Sequence, residues 1–311
     1  MSLVIPKPIL KWVGGKTQII DKIIIQFPKE INNYYEIFLG GGSVLLALLT
    51  YIKNGIINIH GNIYAYDLND VLIYTYKNIQ SNHNELYDEL QKIIMTFNSC
   101  PINNDNLNRK PIDINEAIMN KENYYYWIRS EYNKLNNDDR KTIIASAMFI
   151  FLNKTCFRGI FRVGPNGYNV PYGNYNNPEI INKNHLDYIN ILIQNVIFEC
   201  IDFNISLNRN NFETDDFIYI DPPYVPEKTT SFVKYTDNGF DIANHHKLFT
   251  LIHELTKNNI KMILNNSDVS LVRDNFSYEK YNITSILCKR SINSKNPESK
   301  SKEVMIKNYQ L

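Results

Sequence analysis

Ile19, Ile20, Ile23, Ile24 and Phe27 recur at the spacing of one helical face, and Thr17 ahead of them predicts an N-cap. The pattern then shortens. Tyr34-Tyr35-Glu36-Ile37-Phe38 reads as a strand, Leu39-Gly40-Gly41-Gly42-Ser43 as a glycine turn, and the apolar run 44–49 as a helix capped by Ser43 and stopped by Gly55. A second strand, 62–66, ends in Asp67-Leu68-Asn69-Asp70. From there the alternation breaks. Residues 70–98 and 116–152 read as helices, with Asp138-Asp139 favouring the start of the last, and 99–115 as a solvated loop between them. Strands resume at 196–201, 217–220 and 261–264, with a helix over 241–257 and a last strand pairing back over 304–309. Two loops remain: 226–240, whose composition suits a lid over a substrate, and the basic, polar 288–303. This order predicts an α/β sheet domain made of 1–75 and 196–311, with 76–195 inserted as a separate lobe.

The richest chemistry lies in Phe217-Ile218-Tyr219-Ile220-Asp221-Pro222-Pro223-Tyr224. Proline brings no N–H to a ladder, so the strand must stop and Asp221 is left at its carboxyl end, where open α/β sheets place their ligands. A carboxylate, the Pro222 carbonyl and the Tyr224 ring in succession can grip a flat base by its exocyclic amine and stack on its face. Taken alone, the string fits a strand and a proline-rich turn equally well. The turn at Gly40 and Gly42 would let a cofactor lie against bare backbone. The third glycine of the dinucleotide pattern falls at Leu45, which disfavours a nicotinamide cofactor. Asp67 is placed to hydrogen-bond ribose hydroxyls or to cap the helix near 71–79, two compatible uses. Gly15-Lys16-Thr17 invites a P-loop reading, but Leu10 stands where that motif needs glycine and no strand precedes it. Glycines beside Trp12 and Lys16 instead suit a tight loop around a small ligand.

In the lobe, the run from Leu152 to Tyr175 places a turn, Gly164 to Gly167, between aromatic-rich arms and adds Lys154, Arg158 and Arg162. Basic residues interleaved with rings can read base edges and wedge into a stack. On composition alone, a surface hairpin with solvated arginines is the slightly favoured reading.

The 311 residues, 44% of them apolar, can bury a large core, while a net charge of +1 gives no global signal for nucleic acid and requires any DNA site to be a local patch. Cys100, Cys156, Cys200 and Cys288 lack metal-ligand spacing and read as free thiols, so no metal is expected. No signal peptide or membrane-length apolar run is present, which predicts a cytoplasmic protein with no membrane partner.

Several strings converge in order along the chain. Lys11-Trp12-Val13-Gly14-Gly15-Lys16 resembles the KWxGGK of the Dam-type, D12-class DNA adenine-N6 methyltransferases, and 36–43 resembles their ExFxGxGS. Asp67-Leu68-Asn69 is similar to their acidic ribose motif, and Asp221 to Tyr224 to their catalytic DPPY. The hairpin run is similar to their LNRxCxNGLxRxNxxGxFNVPxGxY, a far more specific string. The resemblance implies a Rossmann-like, seven-stranded S-adenosylmethionine-dependent methyltransferase sheet with an inserted, mainly helical target-recognition lobe carrying a β-hairpin. It implies cofactor contacts at Trp12, Lys16, Phe38, Asp67 and Asp221, with Asp202 and Phe203 beside the cofactor base. It implies double-stranded DNA contacts at Lys11, Ile160, Arg162 and Pro171, insertion near Phe157 and Arg158, and the family's usual GATC target. A cognate restriction endonuclease would be a partner. Arg158 and Ile160 stand where the family has Asn and Leu, and the hairpin turn is one residue shorter. Rival readings are an amino-methyltransferase acting on cytosine N4 or glutamine, a catalytically silent DNA-binding subunit and, last, a P-loop ATPase.

Overall fold

The computed structural model describes residues 3–102, 107–209, 211–226, 239–289 and 300–310. By contacts the chain divides into two compact units, one of Met1–Lys7, Gly14–Leu68 and Asn195–Leu311, the other of Pro8–Val13 and Asn69–Gln194.

The first unit is built on a seven-stranded sheet. Its strands in chain order are β1 (Tyr34–Glu36), β2 (Ile63–Asp67), β3 (Val196–Cys200), β4 (Phe217–Ile220), β5 (Lys261–Ser267), β6 (Asn282–Lys289) and β7 (Lys300–Lys307). In space they run β3-β2-β1-β4-β5-β7-β6, and β7 alone runs antiparallel to the rest. The chain lays β1, β2 and β3 outward in one direction, then returns to set β4 against the other edge of β1. Open α/β sheets place their ligands beyond the carboxyl ends of the strands at such a reversal.

Both faces of the central strands are buried, so they read as unbroken apolar runs. Tyr35, Ile37, Ile218, Ile220, Met262 and Leu264 form one core with Leu248, Phe249 and Ile252 of the helix Ile242–Lys257. Alternation sends Tyr34, Glu36, Phe217 and Tyr219 to the opposite face, where the edge of Phe27 meets the Phe217 ring at 4.6 Å. That second face carries the polar residues from which the site is built.

Several local expectations are corrected. Thr17 lies inside a short 3-10 turn, Lys16–Gln18, and the helix beyond it is only Ile20–Ile24. Ser43 is the first residue of the helix Ser43–Lys53, and Gly42, at φ 75°, is its N-cap. Asn69, not Asp67, caps the helix Asp70–Ser99, accepting from the Leu72 N–H. Asp139 sits in a 3-10 turn, and Thr142 caps the helix Ile143–Thr155 instead. Part of the expected 99–115 loop is the short helix Ile114–Ala117. The expected 288–303 loop is shortened from both ends by β6 and β7, and its residues 290–299 lie outside the described residues. Of the expected lid over 226–240, residues 227–238 lie outside them too.

The second unit is mainly helical: Asp70–Ser99, interrupted at Asn82, then Lys121–Lys134, Ile143–Thr155 and Lys183–Leu192. Asn120, Thr142 and Asn182 each accept a main-chain N–H at a helix start, which satisfies donors that would otherwise lack a partner. Its core is aromatic, with Phe97 edge-on to Phe151 at 5.2 Å and Tyr132 stacked on Phe149 at 6.2 Å. Val163–Gly164 pairs antiparallel with Gly167–Tyr168, so Pro165 and Asn166 make the turn. Among the described residues no helix is long and apolar enough to cross a membrane, and no group of His, Cys, Asp or Glu is arranged to hold a metal ion.

Candidate functional site

The prolines end β4 as their chemistry requires, and Asp221 projects from its tip. One carboxylate oxygen, Oδ2, meets the Lys16 ammonium at 2.7 Å. Lys16 is only 5% exposed; its Nζ also donates to the Gly14 carbonyl at 2.6 Å and lies 4.7 Å from the centre of the Tyr224 ring. Its main-chain N–H donates to Ser43 Oγ at 3.0 Å, which is what that serine does in place of capping. The other carboxylate oxygen, Oδ1, is buried and accepts no hydrogen bond among the described residues. Burial pushes the Asp221 carboxyl up to about 6, against the downward pull of Lys16. A buried acceptor without a donor is rare in a folded protein and points to an incoming donor.

The surrounding strands hold this tip in place. The Val225 N–H donates to Asn266 Oδ1 at 3.0 Å, and Ser267 Oγ donates to the Val225 carbonyl at 2.6 Å, so the end of β5 clamps the chain just past the motif. Asn265 Nδ2 donates to the Tyr219 hydroxyl at 2.6 Å, and the Tyr34 hydroxyl donates to Glu36 Oε2 at 2.8 Å. Burial raises the Glu36 carboxyl well above the usual range, against the downward pull of the Tyr34 hydroxyl. Tyr224 donates through its hydroxyl to Glu303 Oε2 on β7 at 2.9 Å.

Next to β4, the end of β1 turns through the glycines. Gly40 has φ 51°, and its N–H donates to Asp67 Oδ2 at the tip of β2, at 2.9 Å. A left-handed φ suits glycine there, and the turn brings main chain close to that carboxylate. Phe38 stacks on Phe203 (5.8 Å, 28°), and Phe240 packs edge-on to Phe38 at 5.8 Å. Asp202, just past β3, accepts the Asn204 N–H at 2.9 Å and opens the helix Phe203–Arg209. Phe38, Gly40, Gly42, Asp67 and Asp221 thus gather at the carboxyl ends of β2, β1 and β4, with Asp202 and Phe203 following β3. A ring platform, a carboxylate and a bare-backbone turn fit a nucleoside with a ribose diol. With Lys16 committed to Asp221, the P-loop reading has no support.

The expected DNA residues lie in the second unit. Asn153 grips Lys11 at both main-chain groups, accepting its N–H and donating to its carbonyl, each at 2.8 Å. The Lys11 ammonium lies 4.6 Å from the centre of the Tyr175 ring. A Cβ on Gly159, where φ is +64°, would come within 2.5 Å of Lys11 Cβ, so only glycine permits this approach. Phe157 is 45% exposed, with the Arg158 guanidinium 5.1 Å from its ring centre. Arg158 itself has φ 58°, a conformation in which Asn is far more at ease than Arg. The Phe157 N–H donates to the Pro171 carbonyl at 2.8 Å, and the Tyr168 hydroxyl donates to that of Ile160 at 3.2 Å. Arg162 donates from Nε to Asn169 Oδ1 at 2.6 Å and from Nη2 to the Asn169 carbonyl at 3.1 Å. Asn133 and Tyr168 exchange hydrogen bonds at 2.8 and 3.0 Å, fixing the hairpin to the helix Lys121–Lys134. Trp12 is also in this unit, stacked on Phe161 at 5.4 Å.

Sequence reasoning missed Ser43 as the Lys16 anchor, Glu36 and Asn265 under the site, Phe240 beside Phe38, and Glu303. The Asn265-Asn266-Ser267 run at the end of a buried strand was a usable signal, since buried polar side chains need partners. Glu303 gave none.

The strand order, the acid at the end of β2 and the aspartate-proline-proline-tyrosine tip of β4 together define a Rossmann-like S-adenosylmethionine-dependent methyltransferase. Comparison with known proteins narrows the class. The profile of the D12 class N6 adenine-specific DNA methyltransferases matches residues 12–292, and the chain belongs to that family. It is 37% identical to the Type II methyltransferase M.MjaIII of Methanocaldococcus jannaschii, over 97% of this chain and 99% of that one. It is 28% identical to a DNA adenine methylase of Haemophilus influenzae (95% and 91% covered) and 26% identical to one of Escherichia coli (96% and 94% covered). The protein is therefore a DNA adenine-N6 methyltransferase, and S-adenosylmethionine is its methyl donor.

Proposed function

We propose that Asp221, Pro222 and Tyr224 are the catalytic residues of this methyl transfer. The observation that carries the reading is the buried Asp221 Oδ1, without a hydrogen-bond donor among the described residues, at the tip of a strand beside the glycine turn. The adenine amine is a poor nucleophile because its lone pair is delocalised into the ring. Asp221 and the Pro222 carbonyl each accept one amine hydrogen, which favours a tetrahedral nitrogen and frees the lone pair. Two acceptors fixed at a strand tip and a proline would meet the positive charge that builds on that nitrogen with little reorganisation. Tyr224 stacks on the base. Phe38, Gly40, Gly42, Asp67, Asp202, Phe203, Lys16 and Asp221 are the proposed cofactor contacts, and the cofactor supplies a methyl group on a positively charged sulfur. The cofactor role of Trp12 rests on its motif alone.

The first unit is the proposed catalytic domain and the second the target-recognition domain. Lys11, Ile160, Arg162 and Pro171 are the proposed DNA contacts, with Phe157 and Arg158 as the insertion device that lets the base leave the duplex. Exposed Phe157 backed by a guanidinium supports that role. GATC is the proposed target, and a restriction endonuclease cutting the same site the proposed partner. The direct test treats unmethylated plasmid with the protein and S-adenosylmethionine, then maps the modified bases. N6-methyladenine within GATC is expected; N4-methylcytosine would reject the reading, and another sequence context would reject the target. Replacing Arg162 by alanine should cost about 1–3 kcal/mol in specific binding and relax one base position. A methylation-site survey of that variant with unaltered preference would remove Arg162 from readout.

A further inference from the structure

We propose that Glu303 is a positioning residue for methyl transfer, holding the Tyr224 ring at the angle that receives the target base. The inference rests on the catalytic reading of Asp221 and Tyr224. Two prolines fix the main chain ahead of Tyr224, which leaves its ring two rotatable bonds. The hydroxyl at the far end of the ring donates to Glu303 Oε2 at 2.9 Å, so the side chain is held at both ends. A charged acceptor makes this the stronger kind of hydrogen bond. Glu303 lies opposite Ser267 in the β5–β7 pairing, and Ser267 Oγ holds the Val225 carbonyl at 2.6 Å. One antiparallel corner of the sheet therefore fixes both the ring and the main chain that follows it. A stacking partner contributes only where it stands, and small misplacements near a reacting group cost rate steeply.

Glu303 has a second effect through its charge. Among the described residues, the groups facing Asp221 are the Lys16 ammonium, the Tyr224 and Tyr219 hydroxyls, and the Glu36 and Glu303 carboxyls. The negative charge of Glu303 opposes ionisation of Asp221. A purely structural glutamate on β7 would affect folding but leave the ring orientation and the Asp221 titration alone.

The test compares Glu303→Ala, Glu303→Gln, Tyr224→Phe and Asp221→Ala in the full chain, measuring kcat against pH at saturating DNA and S-adenosylmethionine. Glu303→Ala should lose about tenfold or more in kcat, with DNA affinity little changed. Tyr224→Phe, which keeps the ring and removes the tether together with the hydroxyl that faces Asp221, should lose at least a similar factor, and the double variant little more than Tyr224→Phe alone. Glu303→Gln keeps an oxygen acceptor and removes the charge. It should recover most of kcat at neutral pH and move the acid limb of the profile to lower pH. Wild-type kcat in Glu303→Ala overturns the proposal. Should that variant not fold, wild-type kcat in Tyr224→Phe with an unmoved acid limb in Glu303→Gln overturns it equally. An active Asp221→Ala overturns the catalytic reading and this proposal with it. An inactive Asp221→Ala beside Glu303 and Tyr224 variants of wild-type behaviour removes only the role of Glu303.

Discussion

Asp221→Ala should bind duplex DNA as the wild type does and lose methyl transfer by about a thousandfold, the scale set by removing a preorganised group aimed at developing charge. The expectation follows from a division of labour. Affinity comes mostly from phosphate contacts by Lys and Arg, and the proposed DNA residues belong to the second unit. On the proposed reading, the substitution removes one acceptor for the amine and the group that steadies charge on nitrogen. Filter binding, read beside single-turnover methylation, separates the two effects. A variant that still turns over within about tenfold of wild type would take Asp221 out of the chemistry.

Lys16→Met carries the second largest expected effect. Asp221 already sits at about 6 because burial outweighs the nearby ammonium. Removing that ammonium pushes the carboxyl higher, so more of it is protonated at neutral pH. A protonated Asp221 is the weaker acceptor for a nitrogen gaining positive charge. The wild-type rate should therefore fall as pH drops through about 6, and the Lys16→Met rate should begin to fall at a higher pH. At pH 7 the variant should be slower by about tenfold or more. Stability gives an independent check with a definite sign. Folding raises this carboxyl, so its contribution to stability declines as pH climbs from the unfolded value through the folded one. The variant should match wild-type thermal stability near pH 5, where the group is largely protonated, and fall below it at pH 8. A rate profile with an unmoved acid limb would show that Lys16 does not tune Asp221.

What could be read from the sequence depended on how local its cause was. β4 and its tip were legible because apolar residues buried on both faces and the missing proline N–H act within one stretch. The glycine turn and Asp67 were legible for the same reason. Ser43 was misread because its hydroxyl is taken by the Lys16 N–H, a partner from another segment. Thr17 looks like a cap but falls in a 3-10 turn, and the Asp138-Asp139 pair opens the 3-10 turn Asp139–Lys141 rather than the helix that follows. In β6 burial alternates over Ile286, Leu287 and Cys288, but the exposed position holds an apolar leucine, so the sequence hides the alternation. Glu303 sits in a polar, basic stretch whose composition says nothing of Tyr224, 79 positions away. The hairpin string was legible as a likeness, yet composition alone left its arginines looking like solvated surface, since the partner of Arg162, Asn169, lies across the turn.

The pairing of Arg162, the proposed base reader, with Asn169 would constrain an attempt to redirect the enzyme to a new site. Randomising Arg162 alone strands an amide that seats a guanidinium, so single replacements should relax preference rather than create a new one. A library that varies both codons together samples replacement pairs that can seat each other, and is the shorter route to altered specificity.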